Sequence, residues 1–432
     1  MASIEQRKKR QMVRRSGGRQ RVLIVGIRHG KMSRRQMELS LSELARLVET
    51  SGGEVVGRAS QEIRRIDPAT YLGKGKVAEL AETAAAVGAD IVAVDGELSP
   101  VQNRNVEEEL GVLVLDRTAV ILDIFAMRAH STEGKLQVEL AQLSYLAPRL
   151  AGRGHTLSQQ AGRIGTRGPG ETALECDRRR MRDRITLLRR RLAEVVGRRD
   201  IQRQKREAVT IPLVSLVGYT NAGKSTLMNA LTDAGVFVED KLFATLDPTV
   251  RKLRLPSGRE VLVADTVGFL RRLPHELVES FKSTFEEVAH AHLILHLIDG
   301  SDEEALPQAE VAMRVLADMG LERKPRIDVI NKCDRPEVHY RGDADSICIS
   351  ALKKEGLSEL LSRIDETLRA EFRRVTLKLP PDRGDILSDI YRLGHVWRVD
   401  YEDSGIMVDC ELHHKQFGQY SKYAVQGKAP SP

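Results

Sequence analysis

The sequence predicts a multidomain α/β protein: an N-terminal α/β domain with a long helical hairpin, a second α/β domain on a central, mostly parallel sheet, and a small α+β domain at the C-terminus. Three observations predict it. Short β-rich runs alternate with helical stretches up to about residue 130. A glycine-rich loop joins a strand to a helix at Gly218–Thr226, and a long charged helix precedes it. Alternating strands and helices favour a parallel sheet covered by helices.

The chain has 432 residues, room for about three domains of ordinary size. Its 41% hydrophobic content can fill real cores, which argues against wholesale disorder. The formal net charge of +7 is unevenly spread. Basic residues crowd Arg7–Arg35, beginning with Arg7-Lys8-Lys9-Arg10, and again Arg178–Arg206. Such clusters attract phosphate backbones or anionic lipid heads, or stand as a solvated tail and helix face. Cys176, Cys333, Cys348 and Cys410 are scattered without metal-ligand spacing, which fits a reducing compartment. The apolar run Val22–Ile27 is too short for a signal peptide core or a membrane span. The arginine-rich start imitates an organelle transit peptide, but Val22 already reads as a first strand, so a cytoplasmic protein is expected. A monomer is expected as well.

Residues 1–20 read as a basic tail and residues 21–130 as the first domain. Arg21–Ile27, Glu54–Ala59, Asp90–Asp95 and Val112–Leu115 read as buried strands. Gln36–Thr50, Lys76–Val87 and Val101–Leu110 carry helical apolar spacing between them. Residues 131–209 form the expected hairpin: Leu122–Leu150 continues as helix, and Glu171–Arg206 is a second helix. Leu174, Met181, Ile185, Leu188, Leu192 and Val195 give that helix its apolar stripe. Between them, Gly152–Gly170 interleaves glycines with Arg153, His155, Arg163 and Arg167 and contains almost nothing apolar. It reads either as a plain linker or as a loop reaching into RNA, where glycines allow close approach and arginines contact phosphates and bases. Residues 210–373 form the second α/β domain and 374–432 a small domain and polar tail.

In that second domain, Ile211–Val217 is strand-like and ends in Gly218-Tyr219-Thr220-Asn221-Ala222-Gly223-Lys224-Ser225-Thr226. This G-x-x-x-x-G-K-S phosphate loop lets main-chain N–H groups curl round phosphates at a helix N-terminus. Lys224 is placed to reach the β- and γ-phosphates and Ser225 to bind Mg²⁺. Val261–Ala264 leads into Asp265-Thr266-Val267-Gly268, expected to hold Mg²⁺ through water and to sense the γ-phosphate. Ile327–Ile330 leads into Asn331-Lys332-Cys333-Asp334. An aspartate there accepts from the N1–H and amino group of guanine, donors that adenine lacks. Ile347–Ile349 leads into Ser350-Ala351-Leu352, whose main chain is expected at the guanine O6. Four motifs, each after a strand, follow the order of translation-factor-type GTPases. They predict a site for GTP and GDP.

Phe243-Ala244-Thr245-Leu246-Asp247-Pro248-Thr249 occupies the place of switch I. Thr245 and Thr249 both qualify as the switch threonine over Mg²⁺, and Thr245 is preferred because Pro248 stiffens the later position. Phe269 stands where many GTPases have a water-orienting glutamine. A phenylalanine cannot orient water by hydrogen bonding, so basal hydrolysis is expected to be slow and to need a group from a partner. No catalytic residue follows from the sequence.

Together these motifs resemble those of the HflX family of GTPases. Asp67-Pro-Ala-Thr-Tyr-Leu-Gly-Lys-Gly-Lys76 is similar to that family's N-terminal signature. Gly168-Pro-Gly-Glu-Thr-Ala-Leu-Glu175 followed by Asp177-Arg-Arg is similar to the one preceding its GTPase domain. Ala173 departs from the glutamine usual there. The resemblance spans roughly residues 20–375 and favours Thr245 as the magnesium ligand of switch I. It implies a GTPase that binds the large ribosomal subunit and its rRNA and can split ribosomes under stress; the competing reading is a GTP-switched assembly or hibernation factor that splits nothing. Gly73-Lys74-Gly75-Lys76 also offers a short phosphate-binding pattern, and some family members are thought to handle ATP in this domain.

Overall fold

The computed structural model describes residues 19–30, 32–150, 169–207, 211–232, 242–243, 249–271, 287–369, 372–402 and 404–425. It divides into two compact units. The first comprises residues 1–194, 240–246 and 271–282, and the second residues 195–239, 247–270 and 283–432.

The first unit is built on four strands, β1 (Arg21–His29), β2 (Glu54–Ile63), β3 (Ile91–Val94) and β4 (Leu113–Asp116). They form an all-parallel sheet in the order β2-β1-β3-β4. The central strands are apolar on both faces, as a parallel sheet between helices requires. The crossover helices are α1 (Arg34–Thr50), α2 (Lys74–Val87) and α3 (Pro100–Leu110). Their ends are marked in the sequence. Ser33 with Gln36, and Ser99 with Gln102, close capping boxes at the starts of α1 and α3. Gly88 and Gly111 end α2 and α3 in the left-handed conformation that glycine adopts without strain.

Where one helix was expected over Leu122–Leu150, there are two, α4 (Arg117–Arg128) and α5 (Thr132–Leu150). The apolar periodicity runs through the break. Ser131 makes the break by accepting a hydrogen bond from the Gly134 N–H at 2.8 Å, a local bond that competes with continuing the helix. Asp116, fully buried, fixes the start of α4 by accepting from the Ala119 N–H, and takes further bonds from the Tyr145 hydroxyl and Arg149. Beside it Arg117, 2% exposed, is neutralised by Asp95 and Glu43. The long helix α6 (Pro169–Glu207) buries Met181 and Leu188 from its predicted stripe, and Arg184 grips Glu139 of α5 with two bonds of 2.8 and 2.9 Å.

The second unit holds two sheets. Six strands, β5 (Leu213–Gly218), β6 (Thr249–Arg254), β7 (Glu260–Asp265), β8 (Leu293–Asp299), β9 (Arg326–Asn331) and β10 (Ile347–Cys348), lie in the order β10-β9-β8-β5-β7-β6. Only β6 runs antiparallel to its neighbour. Helices α7 (Lys224–Thr232), α8 (Ala305–Asp318) and α9 (Leu357–Arg369) accompany this sheet. The second sheet is antiparallel, with β11 (Phe372–Leu379), β12 (Gly394–Glu402) and β13 (Gly405–His413) in the order β11-β13-β12. With α10 (Gly384–Leu393) and α11 (His414–Tyr420) it encloses a separate apolar core around Leu377, Ile390, Val408 and Leu412. The β6–β7 turn joins the two sheets. Ser257 donates from its N–H and hydroxyl to Asp365 of α9, and buried Arg259 pairs with Glu411 of β13 and covers the Phe372 ring. Among the described residues no helix is long and apolar enough to cross a membrane.

Candidate functional site

In a parallel sheet all strands deliver their C-terminal ends to one rim, the usual place for a ligand. Strands β5, β7, β9 and β10 end at Gly218, Asp265, Asn331 and Cys348, so each sequence motif emerges at that rim of the second unit.

The phosphate loop is held from both sides. Phe269 donates its N–H to the Gly218 carbonyl at 3.0 Å and accepts from the Thr220 N–H at 2.8 Å, tying the loop to Asp265–Gly268. The loop turns through positive φ at Asn221 and Gly223, and a Cβ on Gly223 would lie 2.2 Å from the Asn331 amide nitrogen. Glycine is required there by approach as well as by φ. Lys224 opens α7 and is 7% exposed. Its ammonium donates to the Gly218 and Tyr219 carbonyls at 3.1 and 2.9 Å. Burial pushes its pKa down to about 8 from the ordinary 10.5, partly countered by the charge of Asp265. Thr226, on the same helix, is half-buried.

Ser225 donates its hydroxyl to Asp265 at 2.6 Å, and that carboxylate is fully buried. One hydroxyl and one carboxylate side by side are a hard oxygen pair, and they fit Mg²⁺. Among the described residues no group of three or more His, Cys, Asp or Glu is arranged to hold a metal on its own. Thr266 is turned inward and donates to the Leu216 carbonyl, while Val267 is buried. Gly268 packs so closely that a Cβ would lie 2.8 Å from Thr220 and 2.9 Å from the Lys224 ammonium.

The base-side motifs converge on Asn331. Its amide donates to the Ala222 carbonyl at 2.8 Å and accepts from the Ala351 N–H at 3.0 Å. One side chain therefore joins the phosphate loop to Ser350–Leu352. The sequence reading missed this, and the only signal for it was the asparagine itself. The Ala351 N–H, expected at a bound base, is committed to Asn331, and Leu352 beside it is 78% exposed. Lys332, at φ 65°, pairs with Asp299 at 2.6 Å. The Ser350 hydroxyl beside Asp334 is the main reason that carboxyl is held below its ordinary pKa. Cys333 donates its N–H to the Ile349 carbonyl at 3.1 Å, closing the two base-side loops together.

Phe269 is 1% exposed, so its ring is buried. Phe243 belongs to the first unit, where it is buried at φ 54° and meets Phe125 edge-on at 4.8 Å. Ala244, Thr245, Leu246 and Asp247 lie outside the described residues, as do Arg153, His155, Arg163 and Arg167.

The N-terminal signature has a structural role in the first unit. Asp67 accepts from the Ala69 and Thr70 N–H groups at 2.7 and 3.0 Å and exchanges main-chain bonds with Tyr71. Tyr71 sits at φ 67°, and its ring leaves no room for a Cβ at Gly96. Lys76 is paired with Glu79.

Four family models match the chain in succession. They are described as GTP-binding GTPase N-terminal over residues 38–126, GTP-binding GTPase Middle Region over 128–206, 50S ribosome-binding GTPase over 213–332 and HflX C-terminal domain over 338–429. The GTPase HflX of Caldanaerobacter subterraneus subsp. tengcongensis is 49% identical, the match covering 91% of each chain. The GTPase HflX of Escherichia coli K12 is 44% identical over 84% of this chain and 87% of its own. Among solved structures, a GTP-binding protein of the archaeon Sulfolobus solfataricus in complex with GDP aligns with TM-score 0.43 at 23% identity. That alignment covers 81% of this chain and 99% of the other.

Proposed function

The chain belongs to the HflX family of GTPases and hydrolyses GTP, and from that premise we propose that it uses GTP to bind the large ribosomal subunit and split stalled or idle ribosomes. The observation that carries the nucleotide half of this reading is Asn331, which locks the phosphate loop and the two base-side loops into one rim. In this reading Gly218–Thr226 wraps the phosphates and Lys224 exchanges its two carbonyl partners for the β- and γ-phosphates. Ser225 and Thr245 would hold Mg²⁺, with Asp265 acting through water, and the ion would offset the phosphate charge. The Gly268 N–H senses the γ-phosphate. Asp334, charged and aligned by Ser350, accepts from guanine. The O6 contact falls to the main chain at Leu352, because Ala351 is occupied.

The buried Phe269 supports slow basal turnover, with the water-orienting group supplied by the ribosome when it orders the switch segments. The match to a model described as a 50S ribosome-binding GTPase supports the large subunit as partner. Residues 153–167 would contact rRNA, with Arg153, His155, Arg163 and Arg167 on its phosphates and bases. A second nucleotide at Gly73–Lys76 has less support, since Lys76 is already paired with Glu79.

Light scattering of purified ribosomes mixed with the chain tests the proposal. A fall in scattering with GTP and not with GDP is the expected result. Co-sedimentation with the large subunit and no fall would move the reading to an assembly or hibernation factor.

A further inference from the structure

Two of the four cysteines, distant in sequence, meet beside the proposed guanine site. Cys333 lies between Lys332 and Asp334, and Cys348 ends β10, two residues before Ser350. Strand register sets Cys348 against Ile330, and the Cys333 N–H bonds to the Ile349 carbonyl at 3.1 Å. Both thiols are free and half-buried, and both pack on the same small cluster of Ile298, Ala305 and Ile330. The Cys333 thiol donates to the Ile330 carbonyl at 3.3 Å and the Cys348 thiol to the Arg341 carbonyl at 3.5 Å, the latter at the surface. The Cys333 N–H is thus bonded to the residue beside Cys348, and the two thiols lie within hydrogen-bonding reach of each other, the arrangement from which a disulfide can close.

We propose that Cys333 and Cys348 form a site of reversible oxidation, a disulfide made under hydroperoxide that weakens the grip on guanine nucleotide. The proposal rests on the reading of Asp334, aligned by Ser350, as the guanine-binding carboxylate. Burial, with Cys348 as a further cause, pushes the Cys333 thiol up to about 11, so it is the poorer first nucleophile. Cys348 is the sulfur nearer solvent and reacts first. Its thiolate attacks a peroxide oxygen, the O–O bond breaks, and an alcohol or water leaves with a proton, giving a sulfenic acid. Cys333 then attacks that sulfur and loses its proton. The S–S bond forms, the S–O bond breaks, and water leaves. Two thiols are oxidised by two electrons and one peroxide is reduced.

The structural consequence follows from lack of slack. A disulfide draws the sulfurs to about 2.05 Å, far inside their non-bonded separation. Cys333 cannot move without Lys332, fixed by Asp299, or Asp334, aligned by Ser350. The pull therefore falls on Asp334, the side chain that would read the base. Losing the alignment of one charged hydrogen bond corresponds to a fall in affinity of about tenfold or more.

The test uses the full reduced chain, fluorescent GDP and hydrogen peroxide. After oxidation, peptide mapping should show Cys333 linked to Cys348, GDP affinity should fall about tenfold, and dithiothreitol should restore it. Cys348→Ala should bind GDP normally and ignore peroxide, whereas Cys176→Ala, altering an exposed cysteine elsewhere, should respond like the parent. Absence of the linked peptide, or unchanged affinity in chain shown to be cross-linked, overturns the proposal. If the reduced chain fails to bind GDP, the guanine-site reading itself is wrong, whatever the mapping shows.

Discussion

At the scale of single residues, the nucleotide reading makes two sharp predictions. Lys224 is charged below pH 8 in the nucleotide-free chain and loses its proton above it, whereas bound phosphates draw its pKa back up. Binding must then take up a proton between about pH 8 and 10.5, so affinity for GDP should be flat below pH 8 and fall as pH rises beyond it. The unliganded fold moves the other way over the same window. The unfolded chain holds the extra proton, so stability gains with rising pH from this group. Fluorescent GDP titrations from pH 7 to about 9.5 check the first statement, and a pH-independent affinity would remove Lys224 from the phosphate site. Asp334→Asn should weaken GDP by about 10- to 100-fold and narrow the preference for guanine over adenine. Equal GDP affinity in that variant would sink the assignment. These residues were legible because each motif is a short run of fixed spacing behind a strand. Asn331 was legible as part of a motif but not as a clamp, since its partners Ala222 and Ala351 lie 109 and 20 residues away in sequence. The burial of Phe269 was equally hidden. Sequence shows what a phenylalanine cannot do, and only packing shows that its ring is buried.

At the scale of elements, the β6–β7 turn carries the most unusual bond in the second unit. Arg259 is 6% exposed and Glu411 8% exposed, a buried pair from two different sheets. Arg259→Ala would leave the Glu411 carboxylate buried without its partner, a loss of about 3–5 kcal/mol for a pair of this kind. Chemical denaturation should show that destabilisation, and replacing both residues by apolar ones of similar volume should recover most of it. An unchanged midpoint for Arg259→Ala would mean that the carboxylate finds water instead. Elements bearing motifs were the easiest to read from sequence. Strand β8, Leu293–Asp299, carries no motif, and a short apolar run suits a buried helix as well as a strand. The α4–α5 break at Ala129–Ser131 was hidden for the opposite reason: the apolar spacing is continuous, and one hydroxyl bond decides.

At the scale of the whole molecule, the α/β class was legible from alternation, and the two largely parallel sheets follow it. Strand order was not, because neighbours such as β5 and β8 are chosen by packing between distant segments. Deleting residues 153–167 should leave GDP affinity intact and abolish co-sedimentation with ribosomes. Survival of ribosome binding would reduce that segment to a linker. The Asn331 clamp also has a consequence in time. A chain is made from its N-terminus, so the phosphate loop leaves the synthesis machinery 109 residues before the asparagine that secures it. At about 5–20 residues per second that is a wait of roughly 5–20 s. On this reading a nascent chain holds no finished nucleotide site until Ser350–Leu352 has emerged, so no copy shorter than that can enter the GTP cycle.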